Sequence, residues 1–240
     1  MTFTDPKIYA TIIEYLKGVN KMNTDCIIFD FNGTLFLDDD KHIAAWNEIS
    51  KEIRGTGITM EELQTKINGS PNQKNIEMLS NGTFSQEQID YYSKKKESLY
   101  RQNCLKDKEN FHLVDGVTEY FDYLTAKKIP FTIASASIKE NIDFFIEHFH
   151  LDHWIPRENI VYDDGTYENK VAMFQDACHI LGSSPEKSLI FEDSGSGIRN
   201  AYQAGCSNII VMASDKDFTP FKEKPGVIKV IRSFREILSE

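Results

Sequence analysis

Four side chains of this 240-residue sequence could do chemistry together: Asp30, Ser135, Glu192 and Asp193. They stand at the carboxyl ends of three short apolar runs, CIIFDF (26–31), IPFTIAS (129–135) and SLIFED (188–193). Apolar runs of this length read as strands buried on both faces. In an open α/β sheet, ligands bind beyond the carboxyl ends of the strands. Two carboxylate-bearing ends and one hydroxyl would then converge, a concentration of negative charge that calls for a cation. Hard carboxylate and carbonyl oxygens suit Mg²⁺, which takes one or two carboxylates and keeps waters for a substrate phosphate. Taken alone, the first segment has another explanation. In CIIFDFNGTLFL two apolar runs flank Asn-Gly, the strongest short-range hairpin signal.

The elements that must position these residues alternate. A helix over 115–128 precedes the strand 129–135, followed by a helix at 138–149 and an extended piece at 160–162. A helix at 169–181, the strand 188–193, a helix at 196–204, strands at 208–212 and 227–231 and a last helix complete the chain. The alternation implies a Rossmann-like α/β core, a parallel sheet with helices on both faces. Between 40 and 105 nothing reads as a strand. Turn residues at Gly55, Gly57, Gly69, Ser70, Pro71, Asn81 and Gly82 divide this block into helices near 40–54, 59–67, 71–80 and 85–103. It is therefore an inserted all-helical domain, 38–105, within a core made of 1–37 and 106–240. Ile8, Ile12, Leu16 and Val19 space an extra amphipathic helix over 5–19.

Composition narrows the function classes. With 37 acidic and 27 basic residues, the formal net charge is −10. Nucleic-acid backbones and anionic membrane surfaces both need clustered Lys and Arg, so neither is an expected partner. No apolar run approaches the length of a membrane span, and the N-terminus, carrying Asp5 and Glu14, lacks the apolar stretch of a signal peptide. A cytoplasmic protein is the expectation. Cys26, Cys104, Cys178 and Cys206 lie far apart, without zinc or redox spacing. Cys26 in an apolar run and Cys178 in a helix read as buried free thiols.

The segments together resemble the motifs of the haloacid dehalogenase superfamily. CIIFDFNGTL resembles its first motif, a strand ending in Asp-x-Asp-Gly-Thr. IPFTIAS matches a strand ending in Ser or Thr, ENKVAMFQDACHILG a lysine ahead of a helix, and SLIFEDSGSG an acidic pair ending a strand. The resemblance covers about residues 25–212, and the four motifs occur in the family's order. It turns the DFNGT segment from a hairpin into a catalytic loop. The helical insertion resembles the cap of the β-phosphoglucomutase-like subgroup, with HIAAWNEI (42–49) at its start and KINGSPNQ (66–73) as its substrate loop.

The resemblance implies a Mg²⁺-dependent phosphatase of small phosphometabolites, sugar phosphates first among them. Asp30 would be the nucleophile, forming an aspartyl-phosphate that water hydrolyses. Asp30, Asp193 and the backbone carbonyl of Asn32 would hold the metal, with Glu192 on its waters. Ser135 and Lys170 would donate to phosphoryl oxygens. His42, Asn68, Asn72 and Ser137 are the candidate substrate contacts, and Trp46 is either a further one or core. Asn32 departs from the family, which has an aspartate there to protonate the leaving oxygen and activate water. Such help is worth roughly 10²–10⁴ in rate. Three outcomes follow: a slow phosphatase favouring leaving groups that need little protonation, a phosphometabolite sensor without turnover, and a disfavoured mutase. A true dehalogenase needs no metal, and the Glu192–Asp193 pair argues against it. Oligomeric state is not fixed by the sequence.

Overall fold

In the computed structural model, residues 24–213, 217 and 219–238 are described; the helix expected over 5–19 lies outside them. Among the described residues, six strands form one parallel sheet: β1 (Cys26–Phe29), β2 (Phe131–Ile138), β3 (Val161–Asp163), β4 (Ser188–Glu192), β5 (Ile209–Met212) and β6 (Val227–Ile231). Their order is β3-β2-β1-β4-β5-β6. The chain runs outward from β1 to β3, then returns to the other side of β1 and runs out to β6. The direction reverses between β1 and β4, and the crevice at their carboxyl ends is the switch point where such sheets receive ligands.

Successive residues of a strand face opposite sides of the sheet, and both sides of β1 are covered. Cys26 and Ile28 face a core that includes Phe174, Ala177 and Ile198, carried by the helices Lys170–Ile180 and Gly195–Ala204. Phe29 faces the other side, stacked on Phe191 at 4.8 Å and packed against Phe121 at 5.1 Å, from the helix Val117–Lys127. All four cysteines are buried free thiols. Apolar residues on both faces explain why β1 reads as a continuous apolar run rather than an alternation. The parallel core with helices on both faces is the one the alternating pattern implies.

The chain divides into two compact units, one α/β, containing 24–37 and 113–238, and one helical, Asp38–His112. In the helical unit α1 (Asp39–Arg54) ends at Gly55 in the left-handed conformation. A turn at Met60–Glu62 starts on a Thr59 capping box and continues as a π-helical turn, Leu63–Ile67, where the sequence suggests one helix. Helix α2 (Asn72–Leu79) follows Pro71, and α3 (Gln86–Lys106) begins on a Ser85–Gln88 capping box. Asp107, just past α3, accepts from Lys41 of α1 at 2.7 Å, which ties the returning segment to this unit.

A buried polar network joins α1, α2 and α3. Lys96, 3% exposed, donates to Glu97 and to His42 Nδ1, each at 2.8 Å. The lysine ammonium can only donate, so His42 Nδ1 is the acceptor, and the other ring nitrogen is Nε2. That nitrogen lies 3.3 Å from Asp38, which also accepts from the Tyr100 hydroxyl. Asn72 donates to Glu97 at 2.6 Å. Burial pushes the Glu97 carboxyl up, but the Lys96 charge, with the Lys96 and Asn72 hydrogen bonds, outweighs it and brings it down to about 2. A lowered carboxyl stabilises the fold above its unfolded value of 4.5, and that stability is lost as pH falls toward 2. Wild type should exceed Glu97→Gln by on the order of 3 kcal/mol in urea denaturation at neutral pH. The gap should close below pH 3; a gap unchanged between pH 7 and pH 2 would contradict this account.

Candidate functional site

The site begins with the turn that follows β1. The Phe31 carbonyl accepts from the backbone N–H of Thr34, Leu35 and Phe36, at 3.2, 2.8 and 3.1 Å. These bonds curl the segment into a tight loop; Asn32 and Phe36 form an isolated bridge, and no hairpin forms. Two aromatic anchors hold the loop against a helix, α5 (Lys139–Phe149, with Val117–Lys127 as α4). Phe31 stacks on Phe145 at 4.2 Å and Phe36 packs on Phe149 at 5.4 Å. Gly33 sits at φ +76°, and a Cβ there would run into the carboxylate of Asp193. Only glycine permits both this backbone and that approach.

At the crevice, one ammonium bridges two strands. Lys170, the first residue of α6 (Lys170–Ile180), lies 2.7 Å from Asp30 Oδ1 after β1 and 2.5 Å from Glu192 Oε1 at the end of β4. Its helix begins at Asn169, whose side chain accepts from the Val171 N–H at 2.9 Å. The Thr34 hydroxyl reaches Asp30 Oδ2 at 3.4 Å. Glu192 is wholly buried, and its second oxygen accepts from the N–H groups of Asp193 and Ser194, at 2.9 and 2.8 Å, and from the Ser194 hydroxyl at 3.1 Å. Ser194 in turn caps α7 (Gly195–Ala204), accepting from the Gly197 N–H at 2.9 Å.

Asp30, Glu192 and Asp193 offer carboxylate oxygens within 4.8 Å of one another, and all three are buried. Lys170 pairs with the first two. Burial, reinforced by Glu192 and Asp193, pushes the Asp30 carboxyl up to about 8 against the opposing pull of Lys170. Burial lowers Lys170, but Asp30 and Glu192 more than offset it and keep the ammonium protonated. Three buried carboxylates whose oxygens lie this close together fit a divalent cation such as Mg²⁺.

Beside this acidic group lies a neutral one. Strand β2 continues past the expected end at Ser135 to Ile138, with a register shift against β3 between these residues. Ser135 and Ser137, two apart on the strand, both direct their hydroxyls at Asn32 Oδ1, at 3.3 and 2.7 Å. The Ser137 N–H donates to the Ser135 hydroxyl at 3.2 Å.

The α/β unit thus gathers Asp30, Asn32, Ser135, Ser137, Lys170, Glu192 and Asp193 of the sequence-derived candidates. In the helical unit, His42 and Asn72 belong to the buried network around Glu97, with His42 stacked on Tyr100 at 4.0 Å. Trp46 is buried core, and Asn68 is exposed on the turn before Gly69. Sequence reasoning missed Ser194 and Gly197. The signal for them is the Ser-Gly-Ser-Gly that follows the acidic pair: a cap and a residue without a side chain, where the carboxylate needs room.

Comparisons with known proteins show the family. Residues 27–211 match the family model described as haloacid dehalogenase-like hydrolase. A phosphorylated carbohydrates phosphatase of Thermotoga maritima is 24% identical over 188 residues, 77% of this chain and 83% of that protein. A fructose-1-phosphate phosphatase of Escherichia coli is 24% identical over 190 residues, covering 77% and 95%. The crystal structure of a HAD hydrolase, family IA, variant 3, from Entamoeba histolytica superposes with a TM-score of 0.82 at 33% identity, over 90% of this chain and 98% of that one. The chain belongs to the haloacid dehalogenase-like hydrolase family.

Proposed function

We propose that this protein hydrolyses phosphate monoesters of small phosphorylated carbohydrates, with Asp30 as the nucleophile. The observation that carries the reading is the bridge from Lys170 to Asp30 and Glu192 at the switch point of the sheet. The names of the two phosphatase relatives support the substrate class. Asp30 Oδ1 is committed to Lys170 at 2.7 Å, whereas Oδ2 has only the long Thr34 contact, so Oδ2 is the oxygen that attacks phosphorus. The phosphoryl group passes to Asp30 as the ester oxygen departs, and water then releases it as inorganic phosphate. The Lys170 ammonium carries three protons; two meet carboxylates and the third serves a phosphoryl oxygen as charge builds.

Asp30, Asp193 and the Asn32 backbone carbonyl would hold Mg²⁺, which supplies positive charge between the anionic nucleophile and the anionic substrate. Glu192, with both oxygens occupied, acts mainly by orienting Lys170 and the Asp193–Ser194 turn. A sensor that binds without turnover is the second reading, favoured by the amide at Asn32. Phosphate release separates the two. With Mg²⁺ and a panel of sugar phosphates including fructose 1-phosphate, wild type should release phosphate and Asp30→Asn should fall to background. Equal rates in the two proteins would remove Asp30 from the chemistry, and binding without release would favour the sensor.

The Glu192 anchor has its own test. A Cβ at Gly197 would overlap the Glu192 carboxylate. Alanine within a helix normally gains about 1 kcal/mol over glycine, but overpacking costs about 1–3 kcal/mol. Gly197→Ala should therefore lower the urea midpoint and displace Glu192, with a roughly 10–100-fold loss of Mg²⁺ affinity, as for other displaced supporting residues. A more stable variant with unchanged metal affinity would contradict this role.

A further inference from the structure

The groups around Asp30 hold few protons that can be moved. Lys170 is locked between two carboxylates, and Glu192 accepts from Lys170, two backbone N–H groups and the Ser194 hydroxyl. The neighbouring cluster of Asn32, Ser135 and Ser137 contains no side chain that ionises near neutral pH. Its hydrogen bonds also have a direction. Because Ser135 Oγ accepts from the Ser137 N–H, its own proton goes to Asn32 Oδ1, where the Ser137 hydroxyl also donates. The Asn32 carboxamide is clamped with its oxygen toward the two serines and its NH₂ turned the opposite way. As an amide, Asn32 can donate a hydrogen bond but cannot hand over a proton.

We propose that the Ser135–Asn32–Ser137 clamp makes the site prefer, among phosphorylated carbohydrates and other small phosphoryl donors, those whose leaving oxygen needs no proton, acyl phosphates foremost, over alkyl phosphates, which it turns over slowly. The inference rests on the reading of Asp30 as nucleophile. In the first step an Asp30 oxygen bonds to phosphorus, the bond from phosphorus to the acyl oxygen breaks, and the donor leaves as a carboxylate without protonation. In the second, water bonds to the same phosphorus, the bond to Asp30 breaks, and the water's protons pass to phosphate and solvent. An alkyl phosphate would have to expel an alkoxide in the first step. Missing general acid help of this kind slows a step by roughly 10²–10⁴. The second step has no general base at Asn32 either, so phosphorylated Asp30 accumulates.

The test compares acetyl phosphate with glucose 6-phosphate, both with Mg²⁺, on wild type, Asn32→Asp and Asp30→Asn. For wild type, kcat/KM should favour acetyl phosphate by at least about 10², and in Asn32→Asp that preference should shrink by roughly 10²–10⁴ through gain on glucose 6-phosphate. Rapid mixing of wild type with acetyl phosphate should give a burst of one acetate per site. The clamp proposal is overturned if wild type cleaves glucose 6-phosphate as readily as acetyl phosphate, if Asn32→Asp keeps the wild-type preference, or if no burst appears. Failure of the underlying reading looks different: Asp30→Asn would then match wild type on either substrate, and inertness of wild type toward both would sink the two together.

Discussion

The structure depends on a single ammonium shared by two buried carboxylates. Lys170 lies within 2.7 Å of Asp30 and 2.5 Å of Glu192, and those residues end adjacent parallel strands. An isolated buried charge costs several kcal/mol, and removing one partner of a buried pair is more damaging than never having built it. The strands, the helix that starts at Lys170 and the turn at Ser194 must therefore all be in register for the fold to tolerate these charges. The aromatic packing around Phe29 and Phe31 supplies the rigidity that keeps them so.

The compensation is deliberately incomplete in its effect. Glu192 accepts from Lys170, two backbone N–H groups and the Ser194 hydroxyl, while Asp30 is paired with Lys170 and lies beside Asp193. Burial, with Glu192 and Asp193 nearby, pushes the Asp30 carboxyl up against the pull of Lys170. On the proposed reading, a divalent cation held by Asp30 and Asp193 would favour the ionised form of Asp30 that the chemistry needs. On the same reading, the burial of Asp30, Glu192 and Asp193 would strengthen their electrostatic interactions with a bound phosphoryl group and its cation.

Much of this was legible in the sequence because its signals are local. Three apolar runs ending in Asp30, Ser135 and Glu192–Asp193 place those residues at strand ends, and the parallel core follows from the alternation around them. Lys170 came from resemblance alone, since a lysine opening a helix has no local mark of burial. Partner choice was not legible. Asn72 bonds Glu97, twenty-five positions away in the chain, and Asn32 is clamped by Ser137 more than a hundred residues later. Such pairings depend on how elements pack, not on spacing. The extension of β2 to Ile138 was missed for a similar reason: Ser135-Ala136-Ser137 carries little strand preference, and pairing with β3 overrides it.

The account's central claim is that Asp30 is the atom-bearing nucleophile of this site. The most direct measurement is chemical trapping of the phosphorylated protein after brief exposure to acetyl phosphate and Mg²⁺. Borohydride reduces an acyl phosphate to the alcohol, so peptide mapping by mass spectrometry should find homoserine at position 30 and an unmodified carboxylate at Asp193. Label on Asp193, Glu192 or any residue other than Asp30 would contradict the account.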